Sequence, residues 1–139
     1  MTDDPDQPLV LVSDRQGLPA DTDGLVDLAR STLLAEGAGG VELSVSLVAP
    51  DEMTTLHERY LGEAGPTDVL SFTMDEDGLL GDVVICPEVA AGHNPGDPAG
   101  ELRLLLVHGI LHLLGYDHEE EEERRQMWAR QEAYTGMRP

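Results

Sequence analysis

The chain contains no lysine. Its eight basic residues are all arginine, set against 28 aspartates and glutamates, and the formal net charge is −20 at pH 7. Such a surface repels nucleic acid over a Debye length of about 8–10 Å unless positive charge gathers locally. This composition fits a host with high internal salt or a GC-rich genome, and it bears on solubility more than on function. Cysteine is nearly absent too. The lone Cys86 excludes an internal disulfide, and its Ile-Cys-Pro setting predicts a buried thiol. No apolar run approaches the ~20 residues of a membrane span, and the acidic N-terminus does not read as a signal peptide. A cytoplasmic location without membrane attachment is the expectation from these absences. At 139 residues the chain should form one domain, 1–139, around one core, with 1–8 and 135–139 flexible.

Leu9 to Ser13 reads as a short strand, and a helix starts at Asp21 or Thr22 with apolar residues recurring at Leu25, Leu28, Ala29, Thr32 and Leu33. Gly37, Gly39 and Gly40 stop it. Val41 to Val48 alternates, with Val41, Leu43, Val45 and Leu47 on one face, predicting a half-buried strand. Pro50-Asp51 starts a helix running to about Tyr60 or Leu61. Val69–Met74 and Leu79–Ile85 read as two strands joined by a turn at Asp75 to Gly78. A short helix is expected near Pro87 to Ala91, and the breakers from His93 to Pro98 predict a loop. Gly100 to Leu114 should be the central core helix, and about Glu119 to Tyr134 the last. The fold class is therefore α+β: a small mixed sheet of about four strands packed with helices.

One segment carries chemistry: His108-Gly-Ile-Leu-His112-Leu-Leu-Gly115-Tyr-Asp117-His118. Residues four apart lie one above the other on a helix, so His108 and His112 can grip one ion. Gly115 can take the left-handed conformation that ends a helix and return His118 to that ion. Three imidazoles at this spacing predict a metal site with an open fourth position, and zinc suits the nitrogen donors better than nickel, copper or iron. The spacing matches the metzincin pattern H-E-x-x-H-x-x-G-x-x-H except at one point. Where a metalloprotease carries its general-base glutamate, this chain has Gly109. Peptide hydrolysis needs a proton delivered to a poor leaving amine, whereas in RNA the 2′-hydroxyl already lies beside the phosphate. Phosphodiester chemistry thus tolerates Gly109 better than proteolysis does. Asp117 could orient an imidazole, act as a base or cap the following helix. The run Glu119–Glu123 reads as a solvated face at a helix start, with Glu120–Arg124 and Glu121–Arg125 pairs.

This histidine segment resembles the signature of the YbeY family of bacterial endoribonucleases. Gly65-Pro-Thr-Asp-Val-Leu-Ser-Phe72 and Leu80-Gly-Asp82-Val-Val-Ile-Cys-Pro-Glu88 resemble two further blocks of that family, in the same order. The resemblance implies a metal-dependent, single-strand-specific endoribonuclease of the cytoplasm, with His108, His112 and His118 as zinc ligands. It also implies work on ribosomal RNA, notably the 3′ end of the small-subunit RNA, and in ribosome quality control. The small ribosomal subunit and its assembly factors would be the partners. One position departs from the pattern: many relatives carry a functional arginine where this chain has Leu61. Arg59, two residues earlier, or Arg103 on the histidine helix would have to serve as the phosphate clamp. Arg59 also has Glu63 one turn away as an ion-pair partner. His57 and Ser71 are weaker cleft candidates, and His93 falls in a loop. Two other functions compete: a ribosome assembly or docking factor with a mainly structural metal site, and a metalloprotease or amidohydrolase, which Gly109 disfavours.

Overall fold

A computed structural model describes residues 7–76, 78–116 and 119–136. The elements run β1 (Leu9–Arg15), α1 (Thr22–Ala35), β2 (Glu42–Val48), α2 (Pro50–Leu61), β3 (Val69–Glu76), β4 (Leu79–Ile85), α3 (Pro87–His93), α4 (Pro98–Leu113) and α5 (Glu121–Thr135). The sheet order is β1-β2-β4-β3. β1 pairs parallel to β2 and β2 parallel to β4, while β3 runs antiparallel to β4. The architecture is thus the expected α+β domain with a four-stranded mixed sheet. Helical crossovers permit the parallel pairs, and the β3–β4 hairpin supplies the antiparallel one.

Strand alternation sends successive side chains to opposite faces, and both faces of the sheet are used. Val10, Leu43, Val45, Leu47, Val83 and Ile85 form the main core with Leu25, Ala29 and Leu33 of α1 and Leu102, Leu106 and Ile110 of α4. Val48, Leu70, Val84 and Cys86 project the other way and meet Met53 of α2. β2 is therefore not half-buried along its length. It is interior to the sheet, and Leu43, Val45, Ser46, Leu47 and Val48 are all buried, because helix α2 returns over its second face. The Cys86 thiol is buried, as expected, and burial raises its pKa.

Several boundaries differ from the sequence reading: β1 runs on to Arg15 and β3 to Glu76, inside the expected turn. His93 closes α3 and Pro98 opens α4, so the loop between them is shorter than the breakers suggest. Asp97 is the N-cap, its carboxylate accepting from the Gly100 N–H at 3.0 Å, and Pro98 occupies the first turn, where its missing N–H costs nothing. α4 is buried on most of its circumference and packs against α1, α3, α5, β3 and β4. It is the axis of the molecule. The ends expected to be flexible fall mostly outside the described residues, although Thr135 belongs to α5.

Candidate metal centre

The site is built at the C-terminal end of α4. The His108 and His112 rings, one turn apart and both half-buried, meet edge to face with centroids 4.6 Å apart. The helix then stops in a Schellman turn. Gly115 N–H donates to the His112 carbonyl and Tyr116 N–H to the Leu111 carbonyl, both at 3.0 Å, while Gly115 adopts φ +103°. A side chain at 115 would be strained, which explains glycine there. The expected helix end is thus present. His118, the third expected ligand, and Asp117 lie outside the described residues. The N-cap position of α5 is held by Glu120, whose side chain makes no capping bond.

His108 has a partner that sequence spacing did not reveal. Its Nδ1 lies 2.8 Å from Oε1 of Gln131, a residue of α5 that is only 2% exposed. An amide oxygen can only accept, so Nδ1 carries the proton and donates, and the lone pair belongs to Nε2. That is the tautomer a metal-ligating imidazole needs. The donor set therefore fits a zinc ion. Val107, Leu111 and Met127 pack α5 against α4 and keep Gln131 in place. Only its position, 23 residues after His108 on a helix of mixed polarity, could have hinted at this role.

Gly109 faces the sheet. A Cβ there would stand 2.6 Å from Val83 Cγ1 and 3.1 Å from Ser71 Oγ, inside the ~3.5–4.0 Å of ordinary carbon contact. Ser71 Oγ donates to the Gly109 carbonyl at 3.4 Å. A side chain at 109 would therefore have to push Val83 and Ser71 aside, because α4 lies close to β3 and β4 there.

The other candidates are dispersed. Arg59 is exposed at the last turn of α2, its guanidinium 5.7 Å from the Tyr60 ring centroid. The Tyr60 ring meets Phe72 of β3 edge to face, while the adjacent Ser71 faces α4. Arg59 therefore starts on the opposite side of edge strand β3 from the histidines. Leu61 is 58% exposed. Arg103 is exposed and lines a mainly apolar groove of about 780 Å³ with Leu18, Pro87, Ala91 and Leu102. It lies five residues before His108, about 140° around the helix and about 7.5 Å along it. His57 is buried; its Nδ1 lies 2.9 Å from the Gly65 carbonyl and its Nε2 3.1 Å from the Glu63 carboxylate. It clips the loop after α2, and Glu63 meets His57 there.

A second donor group was not anticipated. Asp68, His93 and Glu101 each offer a ligand atom, all within 4.8 Å of one another, and could hold a metal ion. His93 Nδ1 lies 3.4 Å from Asp68 Oδ2, and His93 closes α3 instead of lying in the loop its sequence suggested. Burial, then repulsion from Asp68, raises the Glu101 pKa, against a lowering by His93. The three come from the residue before β3, the end of α3 and the first turns of α4, and no sequence spacing connects them. On the far face of the sheet, burial likewise raises the Asp82 pKa, opposed by hydrogen bonds from Ser44 and Ser46.

Fold and helix together define an α+β protein with a histidine-bearing helix at its centre. The family described as endoribonuclease YbeY matches residues 16–137. The chain is 48% identical over 146 aligned residues to "Endoribonuclease YbeY" of Thermobifida fusca, covering 91% of this chain and 92% of that protein. It is 46% identical to the protein of the same name from Salinispora tropica, covering 86% and 89%. Among solved structures, the solution structure of TM1509 from Thermotoga maritima superposes with a TM-score of 0.62 at 30% identity, over 91% of this chain and 87% of that one. The chain belongs to the YbeY family.

Proposed function

We propose that this protein is a zinc-dependent, single-strand-specific endoribonuclease, a phosphodiester hydrolase acting as one domain over 1–139. Its substrate is ribosomal RNA, at the 3′ end of the small-subunit species, and it contributes to ribosome quality control in the cytoplasm. Among the described residues no helix is long and apolar enough to cross a membrane. The observation that carries the reading is the His108–His112 pair on a buried helix, with the His108 tautomer set by Gln131. Family membership, through relatives named endoribonucleases, supports the reaction class.

His108, His112 and His118 would hold the metal. Zinc there would supply Lewis-acid stabilisation of charge on the phosphoryl oxygens. The protein's own part is to hold the imidazoles, to exclude a carboxylate at 109 and to bring a cation to the phosphate. Arg59 is assigned that last role, for which its side chain would have to leave the Tyr60 ring and pass the edge of β3, because Arg103 lies toward the groove at the other end of α4. The 2′-hydroxyl of RNA is a nucleophile already in place: its attack on phosphorus would form a 2′,3′-cyclic phosphate as the 5′-oxygen leaves, with the 2′-proton passing to solvent and solvent protonating the leaving oxygen, and water would then open the cyclic ester.

A ribosome-docking factor with a structural metal is the second reading. One observation favours it: several arginines already meet carboxylates, Arg15 at Glu52, Arg125 at Glu121 and Glu122, and Arg130 at Glu36. Fewer cations then remain for RNA. The discriminating experiment incubates the zinc-loaded protein with the small-subunit RNA 3′ region as a single strand, with the same sequence as a duplex, and with a peptide. Cleavage of the single strand alone is expected. Cleavage of the peptide would sink the nuclease reading, and inertness toward RNA combined with tight binding to the small subunit would favour docking.

A further inference from the structure

Glu36 follows α1 as its C-cap residue, and its carboxylate is only 7% exposed. An ionised side chain at that burial should be met by donors, and three converge on it. The Tyr116 hydroxyl donates to Oε1 at 2.6 Å, the Tyr134 hydroxyl donates to Oε2, and Arg130 Nη1 lies 3.5 Å from Oε2. Each phenol stays protonated: the hydrogen bond to Glu36 is the main cause that raises the Tyr116 pKa, and burial followed by the same carboxylate raises that of Tyr134. Both rings also pack on the cluster of Val107, Leu111 and Met127. One carboxylate thus ties the end of α1, the turn after α4 and helix α5.

Tyr116 stands between Gly115, where α4 ends, and His118, two residues on. We propose that Glu36 is a positioning residue for the metal centre: by fixing Tyr116 it holds the turn that follows the His108–His112 helix, and by gripping Tyr134 it holds helix α5, which carries Gln131 to His108. This rests on the three-histidine reading. Gly115 makes the turn possible but leaves its direction open, since glycine restrains the following residue little. The charge-assisted bond at Tyr116 is the lateral restraint. The same carboxylate grips α5 through Tyr134, one turn past Gln131, so both outer supports of the site share an anchor.

The test is zinc affinity, measured by competition with a chromophoric chelator, in the wild type, Tyr116→Phe, Glu36→Gln, His112→Ala and Val48→Ala. Val48 lies in the core on the other face of the sheet and controls for general destabilisation. Tyr116→Phe and Glu36→Gln should each weaken zinc binding by about 10–100-fold, the usual effect of losing a partner that orients a ligand. Val48→Ala should leave affinity within about twofold although its metal-free melting temperature falls at least as far. Glu36→Gln keeps an acceptor for one tyrosine and guards against failure to fold. Wild-type affinity in Tyr116→Phe, or an equal loss in Val48→Ala, would overturn the positioning role. If His112→Ala bound zinc as tightly as the wild type, the three-histidine reading would fall, and this role with it. Loss in His112→Ala with none in Tyr116→Phe would remove the clamp alone.

Discussion

Gln131 and Gly109 show how single residues set the chemistry from outside the histidine motif. Replacing Gln131 by leucine removes the acceptor for His108 Nδ1 and frees the ring to change tautomer. Zinc affinity should drop about 10–100-fold, and a half-buried donor left without its partner should lower stability by about 1–3 kcal/mol. Chelator competition and urea denaturation read the two effects separately, and unchanged zinc affinity would show that Gln131 does not set the tautomer. At Gly109 the sign of a common substitution should invert. Glycine to alanine inside a helix ordinarily stabilises by about 1 kcal/mol. Here the new Cβ would strike Val83, so Gly109→Ala should cost about 1–3 kcal/mol by overpacking. A higher urea midpoint would rule out the close approach of α4 to the sheet. The sequence showed that 109 lacks a base but not how closely the strands approach it, since no local pattern encodes their distance from α4. The histidine pair and the turn glycine were legible because helical periodicity and left-handed backbone are local properties.

Among the elements, α4 and its boundaries connect sequence to site most directly. The stretch Asp97-Pro98-Ala-Gly-Glu101 reads as breakers when proline is taken alone, yet Asp97 and Pro98 are the two residues best suited to start a helix. Asp97→Ala should lower stability by about 0.5–2 kcal/mol, seen as an earlier urea midpoint; an unchanged midpoint would mean that the cap contributes nothing. Strand existence and order of the elements followed from alternation and turn residues, as at Val69–Ile85. The covering of β2 on both faces did not, because it depends on where α2 returns. Gln131, Glu36 and the Asp68–His93–Glu101 group were equally invisible: each joins elements distant in sequence, and none repeats at a helical or strand period.

At the scale of the whole molecule, charge is the governing feature. The net charge of −20 makes each buried carboxylate a liability unless a donor or cation meets it. Glu36 has three such donors, and Glu101 sits beside Asp68. Because its folded pKa is raised, the folded state of Glu101 binds a proton more readily than the unfolded state. Its contribution to stability therefore falls as pH rises through the window between the ordinary glutamate value and the raised one. In chelator at neutral pH, Glu101→Gln should raise the melting temperature by about 1–2 °C, a small gain because the group is partly exposed and screened. The gain should vanish at pH below the ordinary glutamate range. A gain that persists there would show that charge is not its source, and a loss appearing only when a divalent ion is added would place that ion at Asp68, His93 and Glu101.

The acidity also makes metal-dependent RNA cleavage the most exposed claim, since the surface opposes the substrate that the site suits. Zinc titration into metal-free protein, with cleavage of a single-stranded RNA followed at each step, tests it directly. The rate should climb with zinc and level off once one ion per chain is bound by the histidines, and His112→Ala should stay inactive at the same zinc concentration. Cleavage at the wild-type rate by metal-free protein or by His112→Ala would contradict the account.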